Sequence, residues 1–168
     1  MGLTDEQKLN YYKNKELAKQ LILQDATEEG HIVYGATAIN AQVGKVLQKQ
    51  TEDVDIMVKD SKKEAEQMEK KLDKQYGGDY FRVDPAQHEG TFKVRSNVTG
   101  KGVADYTKPE ERIPSTVKAG MMVARLEWIK RKRMENLKNP EAKFRHVKDQ
   151  ETINRIRIYE RTKRNNRK

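Results

Sequence analysis

The sequence predicts an α+β domain: a mixed sheet flanked by helices, with a basic helical C-terminal extension. Three observations carry that reading. Helical and strand-like periods alternate over roughly the first half of the chain. Three short β-prone segments then follow one another, and the chain closes on helix-period stretches rich in Lys and Arg.

Thr4 followed by Gln7 reads as a capping box, and Leu9, Tyr12, Leu17 and Leu21 stripe the helix it opens, to about Gln24. Glu28-Glu29-Gly30 breaks that helix. His31–Tyr34 is a short strand stopped by Gly35, and Ile39, Val43, Val46 and Leu47 predict a second helix over 37–49. Asp53–Lys59 (DVDIMVK) is β-prone, with Val54, Ile56 and Val58 on one face. Ser61 with Glu64 reads as another capping box, and the helix striped by Ala65, Met68 and Leu72 ends at Gly77-Gly78. Strands are expected at Tyr80–Val83, Thr91–Arg95 and Gly102–Tyr106, with Gly90 and Gly100 at turns. Pro114-Ser115 introduces a long helix striped by Val117, Met121, Leu126, Ile129 and Leu137, which Asn139-Pro140 ends. A last helix is expected from about Asp149, carrying Ile153 and Ile156. These elements divide the chain into a core over 1–114 and a basic extension over 115–168.

A chain of 168 residues fits one domain, and with 35% hydrophobic against 36% charged residues its core must be thin. The absence of cysteine excludes disulfides and thiolate metal sites. No apolar run approaches membrane length and the first residues are polar, so a cytoplasmic protein is expected, with a virus or mobile element as a fitting source. The charge is uneven: residues 1–124 hold 19 Lys/Arg against 20 Asp/Glu, whereas 125–168 hold 16 against 6. Such a density attracts polyanions, RNA first among them. The candidate contacts are Arg131, Lys132, Arg133, Arg155, Arg157, Arg161, Lys163 and Arg164. A solvated helix face, or a docking segment for an acidic protein partner, would look similar.

Asp53 and Asp55 are two apart on a β-prone segment, so both side chains are expected on one face. Paired carboxylates on an open face are good ligands for a hard cation such as Mg²⁺ or Mn²⁺, although solvated strand ends also produce D-x-D. Tyr34-Gly35-Ala36-Thr37 joins a strand to a helix, and the amides at such a helix start suit an anion. Gly35 would let a phosphate approach the backbone and Thr37 would add a hydroxyl; a tight turn with a Thr cap is the plainer reading. On this reading Gly35→Val is expected to block triphosphate binding and spare the fold. The conjunction of turn, helix and D-x-D is much rarer than its parts.

VYGATAIN followed by QTEDVDIMV resembles the nucleotidyltransferase superfamily that includes DNA polymerase beta. Within it, the chain is most similar to minimal proteins akin to abortive-infection toxin nucleotidyltransferases. The resemblance runs over about residues 30–156. It implies a third carboxylate at Asp105, from TFKVRS and GVADY, and two divalent ions shared by Asp53, Asp55 and Asp105. It further implies nucleotide contacts from Gly35, Ala36, Thr37, Lys49 and Lys148, with Arg145 nearby. The implied activity is transfer of a nucleoside monophosphate from an NTP such as ATP to an acceptor hydroxyl, of RNA or of a protein. A non-catalytic binding or structural subunit of a nucleoprotein or viral particle is the alternative. The chain departs from the pattern at Ala36, where a second Gly or Ser is usual, and at Lys49, where Arg is usual. Asp84 competes with Asp105, although Pro85 beside it suits a strand end. His31, His88 and His146 are scattered with no metal-ligand spacing, and Trp128 reads as a packing residue or a base-stacking one.

Overall fold

In the computed structural model, which describes residues 2–166, α1 (Asp5–Lys13) and α2 (Lys15–Glu29) precede β1 (Ile32–Tyr34) and α3 (Gly35–Gln42). A 3₁₀ turn (Lys45–Leu47) leads to β2 (Val54–Met57) and α4 (Ser61–Tyr76). Next come β3 (Phe81–Pro85), β4 (Thr91–Ser96), β5 (Gly102–Thr107), β6 (Ser115–Lys118) and β7 (Met121–Ala124). The chain ends on α5 (Leu126–Leu137), a 3₁₀ segment (Pro140–Arg145) and α6 (His146–Asn165). Among the described residues seven strands form one mixed sheet in the order β3-β4-β5-β2-β1-β7-β6. β2 runs parallel to β5 and β1 parallel to β7, while the other pairs are antiparallel. No helix among the described residues is long and apolar enough to cross a membrane.

The Thr4–Gln7 capping box forms in both directions. The helix it opens is interrupted at Asn14, which the leucine stripe did not reveal. Tyr76 holds that break from across the fold: its hydroxyl donates to Asn14 O at 2.6 Å and accepts the Ala18 N–H at 3.1 Å. Tyr11, Tyr76, Tyr80 and Phe81 pack edge-on and tilted around it, at 5.2–6.0 Å between rings. The Ser61–Glu64 box does not form. Ser61 Oγ instead donates to Gly90 O at 2.8 Å, which leaves Glu64 free to face elsewhere.

The helix expected from residue 37 begins at Gly35 and stops at Gln42, because Val43 turns extended to bury its side chain. Val46, read as part of the stripe, is fully exposed. The largest correction lies at residues 115–124. They form the β6–β7 hairpin, which extends the sheet, and the helix begins only at Leu126. Val117 and Met121 stand four apart, which mimics a helical stripe, but Ala119 (φ 51°) and Gly120 (φ 79°) make a left-handed two-residue turn that suits a hairpin. The final helix starts at His146, slightly ahead of Asp149.

Asp73 on α4 ties the helix to β3 by accepting the N–H groups of Tyr80 (3.0 Å) and Phe81 (2.9 Å). Desolvation first, then a hydrogen bond shared with Glu69, pushes its carboxyl up to about 7 from the ordinary 3.8. The folded state thus keeps a proton that the unfolded chain has lost, so this group makes stability fall as pH rises from about 4 to about 7. Asp73→Asn keeps the acceptor oxygen and removes the titration. Urea unfolding should therefore show the variant gaining on the wild type at pH 8 and matching it near pH 4. Identical pH slopes in the two proteins would refute the assignment.

Candidate nucleotide and metal site

Four strands place four polar residues in one row. Lys93 on β4 pairs with Asp105 on β5, Asp105 with Asp55 on β2, and Asp55 with Tyr34 on β1. Residues in register across a sheet point to the same face, so the row runs Lys93–Asp105–Asp55–Tyr34. Asp53 joins it from a bend just ahead of β2 rather than from the strand itself. Thr51 aims it, donating to Asp53 O (3.1 Å) and Oδ1 (3.2 Å). Carboxylate oxygens of Asp53, Asp55 and Asp105 all lie within 4.8 Å of one another. The alternation expected of β2 holds on its other face, where Val54, Ile56 and Val58 are buried.

Crowding shows in the electrostatics. Desolvation first, then the Asp53 and Asp105 charges, raise the Asp55 carboxyl well above the usual carboxylate range. Lys93 Nζ stands 3.1 Å from Asp105 Oδ1 and donates to Oδ2 at 3.3 Å, leaving the buried Oδ1 without a hydrogen bond. One ammonium opposite three carboxylates leaves the cluster electron-rich, and oxygen-only ligands at this spacing fit Mg²⁺ or Mn²⁺. Gly102 leaves room for the Lys93 chain, since a Cβ there would sit 2.9 Å from Lys93 Cδ. Sequence reasoning missed Lys93. Nothing in TFKVRS distinguishes it from a solvated lysine until β4 is paired with β5.

The turn expected to hold phosphate does abut the carboxylates. Gly35 adopts φ +68°, and a Cβ on it would overlap Asp55 Oδ2. This corrects the expectation that Gly35→Val spares the fold, because the glycine is demanded by Asp55 as well as by any ligand. Ala36 is the part-exposed corner of the turn. Thr37 is packed, its hydroxyl buried and without a partner. Tyr34 closes the row, its hydroxyl bonded to Thr107 Oγ1 at 3.0 Å. Burial first and the Asp55 charge second push its phenol up.

Other expected residues lie apart from this row. Asp84 is out of the cluster, engaged by Arg82 (3.0 Å) and Arg95 (3.2 Å). Lys49 is held through its backbone by Asn40 and pairs with Glu151 at 3.5 Å. Lys148 is exposed on the first turn of α6. Beside it Asp149 is fully buried between Arg133 (3.0 Å) and Arg145 (3.2 Å), an internal anchor rather than a surface cap pair.

The basic residues divide in two. Arg131 and Lys132 pair with Glu111 and Glu135, Arg133 with Asp149, and Arg155 with Glu151 and Leu47 O. Trp128 is packed, donating to Glu111 at 3.0 Å. Arg157, Arg161, Lys163 and Arg164 instead line an open groove of about 1020 Å³ with Lys118 of β6 and Arg125.

The fold is shared with a solved structure. In the crystal structure of the Megavirus polyadenylate synthase the same architecture recurs at TM-score 0.75 and 16% identity, over 88% of this chain and 32% of that one. The chain thus spans about a third of the length of that protein. JHP933 from Helicobacter pylori matches at TM-score 0.42 and 14% identity, over 81% of this chain and 58% of that one, too distantly to argue from. No protein-family model and no curated protein sequence matches the chain.

Proposed function

We propose that the protein transfers a nucleoside monophosphate from an NTP to an acceptor hydroxyl, with RNA as the acceptor. The observation that carries this is the convergence of Asp53, Asp55 and Asp105 beside a glycine turn that opens a helix. Asp53 and Asp55 would hold two Mg²⁺ or Mn²⁺ ions, with Asp105 completing the set. Such ions supply charge neutralisation at the transferring phosphate. The Ala36 and Thr37 amides, at the start of α3, would serve the triphosphate as helix-start donors. Thr37 would act through its amide, since its hydroxyl is buried. Asp105, beside the Lys93 ammonium, would help take the acceptor proton. Lys49 and Lys148 would serve the outer phosphates.

Incubation with each labelled NTP, Mg²⁺ or Mn²⁺ and RNA should give metal-dependent label on the RNA. One observation favours the alternative, a non-catalytic subunit: Lys93 already places a cation on Asp105. Absence of transfer with every NTP, together with absence of Mg²⁺ and Mn²⁺ binding, would establish that alternative instead.

The groove sharpens the RNA proposal. Arg157, Arg161, Lys163 and Arg164 are the cations proposed to meet phosphate, whereas Arg131, Lys132, Arg133 and Arg155 serve the fold. Arg157→Ser with Arg161→Ser should weaken binding to single-stranded RNA. It should also flatten the log-log salt slope by roughly 0.7 per lost phosphate contact. Arg131→Ser should leave that slope nearly unchanged. Equal slopes in all three proteins would move the RNA elsewhere.

A further inference from the structure

On the reverse face of the sheet a second group of ligand-type side chains converges. Asp25 near the end of α2, His31 just ahead of β1 and Glu64 in the first turn of α4 bring one ligand atom each within 4.8 Å of the others. The failed capping box explains Glu64: with Ser61 turned to Gly90, its carboxylate is released from the helix end. His31 Nδ1 is buried without a hydrogen-bond partner. A second and independent observation comes from Tyr106 on β5. It is fully buried, yet its hydroxyl has no partner either. Burial pushes its phenol up first, and the charges of Asp25 and Glu64 push it further. α2 and α4 touch each other and both touch β5, which brings the elements that carry Asp25, Glu64 and Tyr106 together.

We propose that Asp25, His31 and Glu64 form a second metal site that takes a divalent transition ion of the Zn²⁺ or Mn²⁺ type. One imidazole and two carboxylates without thiolate make the donor set such ions favour. An ion there removes two costs at once. It gives partners to buried polar atoms that are otherwise unsatisfied, and it neutralises two facing carboxylates. Lys71 now supplies part of that neutralisation, its ammonium 2.5 Å from Asp25 Oδ1, with the charges of Glu29 and Glu64 also acting on it. Its side chain is 60% exposed and can swing into water when an ion arrives. Consecutive strand residues face opposite ways, so Tyr106 sets this site across the sheet from Asp105. The ion would clamp α2 to α4 behind the strand that carries the third carboxylate.

The test separates the two sites by removing one. In Asp53→Asn/Asp55→Asn protein, Co²⁺ titration should still give one bound ion per chain, with visible d–d bands that Zn²⁺ abolishes by displacement. Adding His31→Gln to that background should weaken Co²⁺ binding by a hundredfold or more and shift the bands. Glu64→Gln, a change on a part-exposed helical position, should weaken it at least tenfold and guards against a folding defect at His31. No Co²⁺ bound in the double-Asn protein, or binding indifferent to both His31→Gln and Glu64→Gln, would overturn the site and leave ordered water as the partner of these atoms. Neither result depends on nucleotide transfer.

Discussion

Asp55→Asn is expected to stabilise the metal-free protein and to abolish metal-dependent transfer. Asp55 lies between Asp53 and Asp105, and burial and those two charges hold its carboxyl well above the usual range. At neutral pH its charged form therefore costs the folded state. In the wild type without metal, stability should fall as pH rises through that raised value, and the asparagine should remove this slope. For a chain of this size each kcal/mol relieved raises the melting temperature by about 2–4 °C. Metal reverses the ranking. Mg²⁺ at a hundred times its Kd adds about 2.7 kcal/mol to a protein that binds it only when folded, and the variant should gain little of that. Transfer should fall by about a thousandfold or more, since a catalytic metal supplies several kcal/mol at the transition state. Melting curves with and without Mg²⁺, set beside label transfer, measure both effects. Equal Mg²⁺ stabilisation of the two proteins would remove Asp55 from the metal site.

What the sequence disclosed about this site was its local part. D-x-D and the glycine turn are separated by short, fixed spacings, so the elements that carry them could be placed by period alone. The register of Asp55 with Asp105 could not be read the same way. It depends on parallel pairing between β2 and β5, strands with α4, β3 and β4 between them in the chain. The resemblance supplied Asp105, and pairing then exposed Lys93, which no local pattern marks. The β6–β7 hairpin was misread because its apolar residues fall at helical spacing while its positive φ at Ala119 leaves no strong sequence signal. Charge counting foresaw a basic tail but could not tell Arg133, which neutralises a buried aspartate, from Arg161, which faces an open groove. His31 was set aside for the same reason: its companions Asp25 and Glu64 come from two helices, and spacing carries no trace of them.

Gly35→Ala should be far more damaging than Gly30→Ala, although both glycines have φ +68°. The pair isolates the part of the cost that belongs to the site. An alanine in the left-handed region carries a backbone penalty of about 1–2 kcal/mol wherever it is placed. At Gly30, the C-cap of α2, a Cβ meets nothing within 4 Å, so the backbone term is the whole effect. At Gly35 the same Cβ overlaps Asp55 Oδ2 and stands 3.1 Å from Cγ. Asp55 cannot retreat freely, because the Asp105 carboxylate lies on one side of it and Tyr34 on the other. Overpacking of this kind adds about 1–3 kcal/mol, giving roughly 2–5 kcal/mol at Gly35 against 1–2 at Gly30. The displaced carboxylate should also lose its place among the metal ligands, so Gly35→Ala should blunt Mg²⁺ stabilisation while Gly30→Ala preserves it. Urea unfolding of both variants, with and without Mg²⁺, reads the two effects separately. Equal destabilisation of the two, with Mg²⁺ stabilising both alike, would mean that the turn and the carboxylates are not mechanically joined.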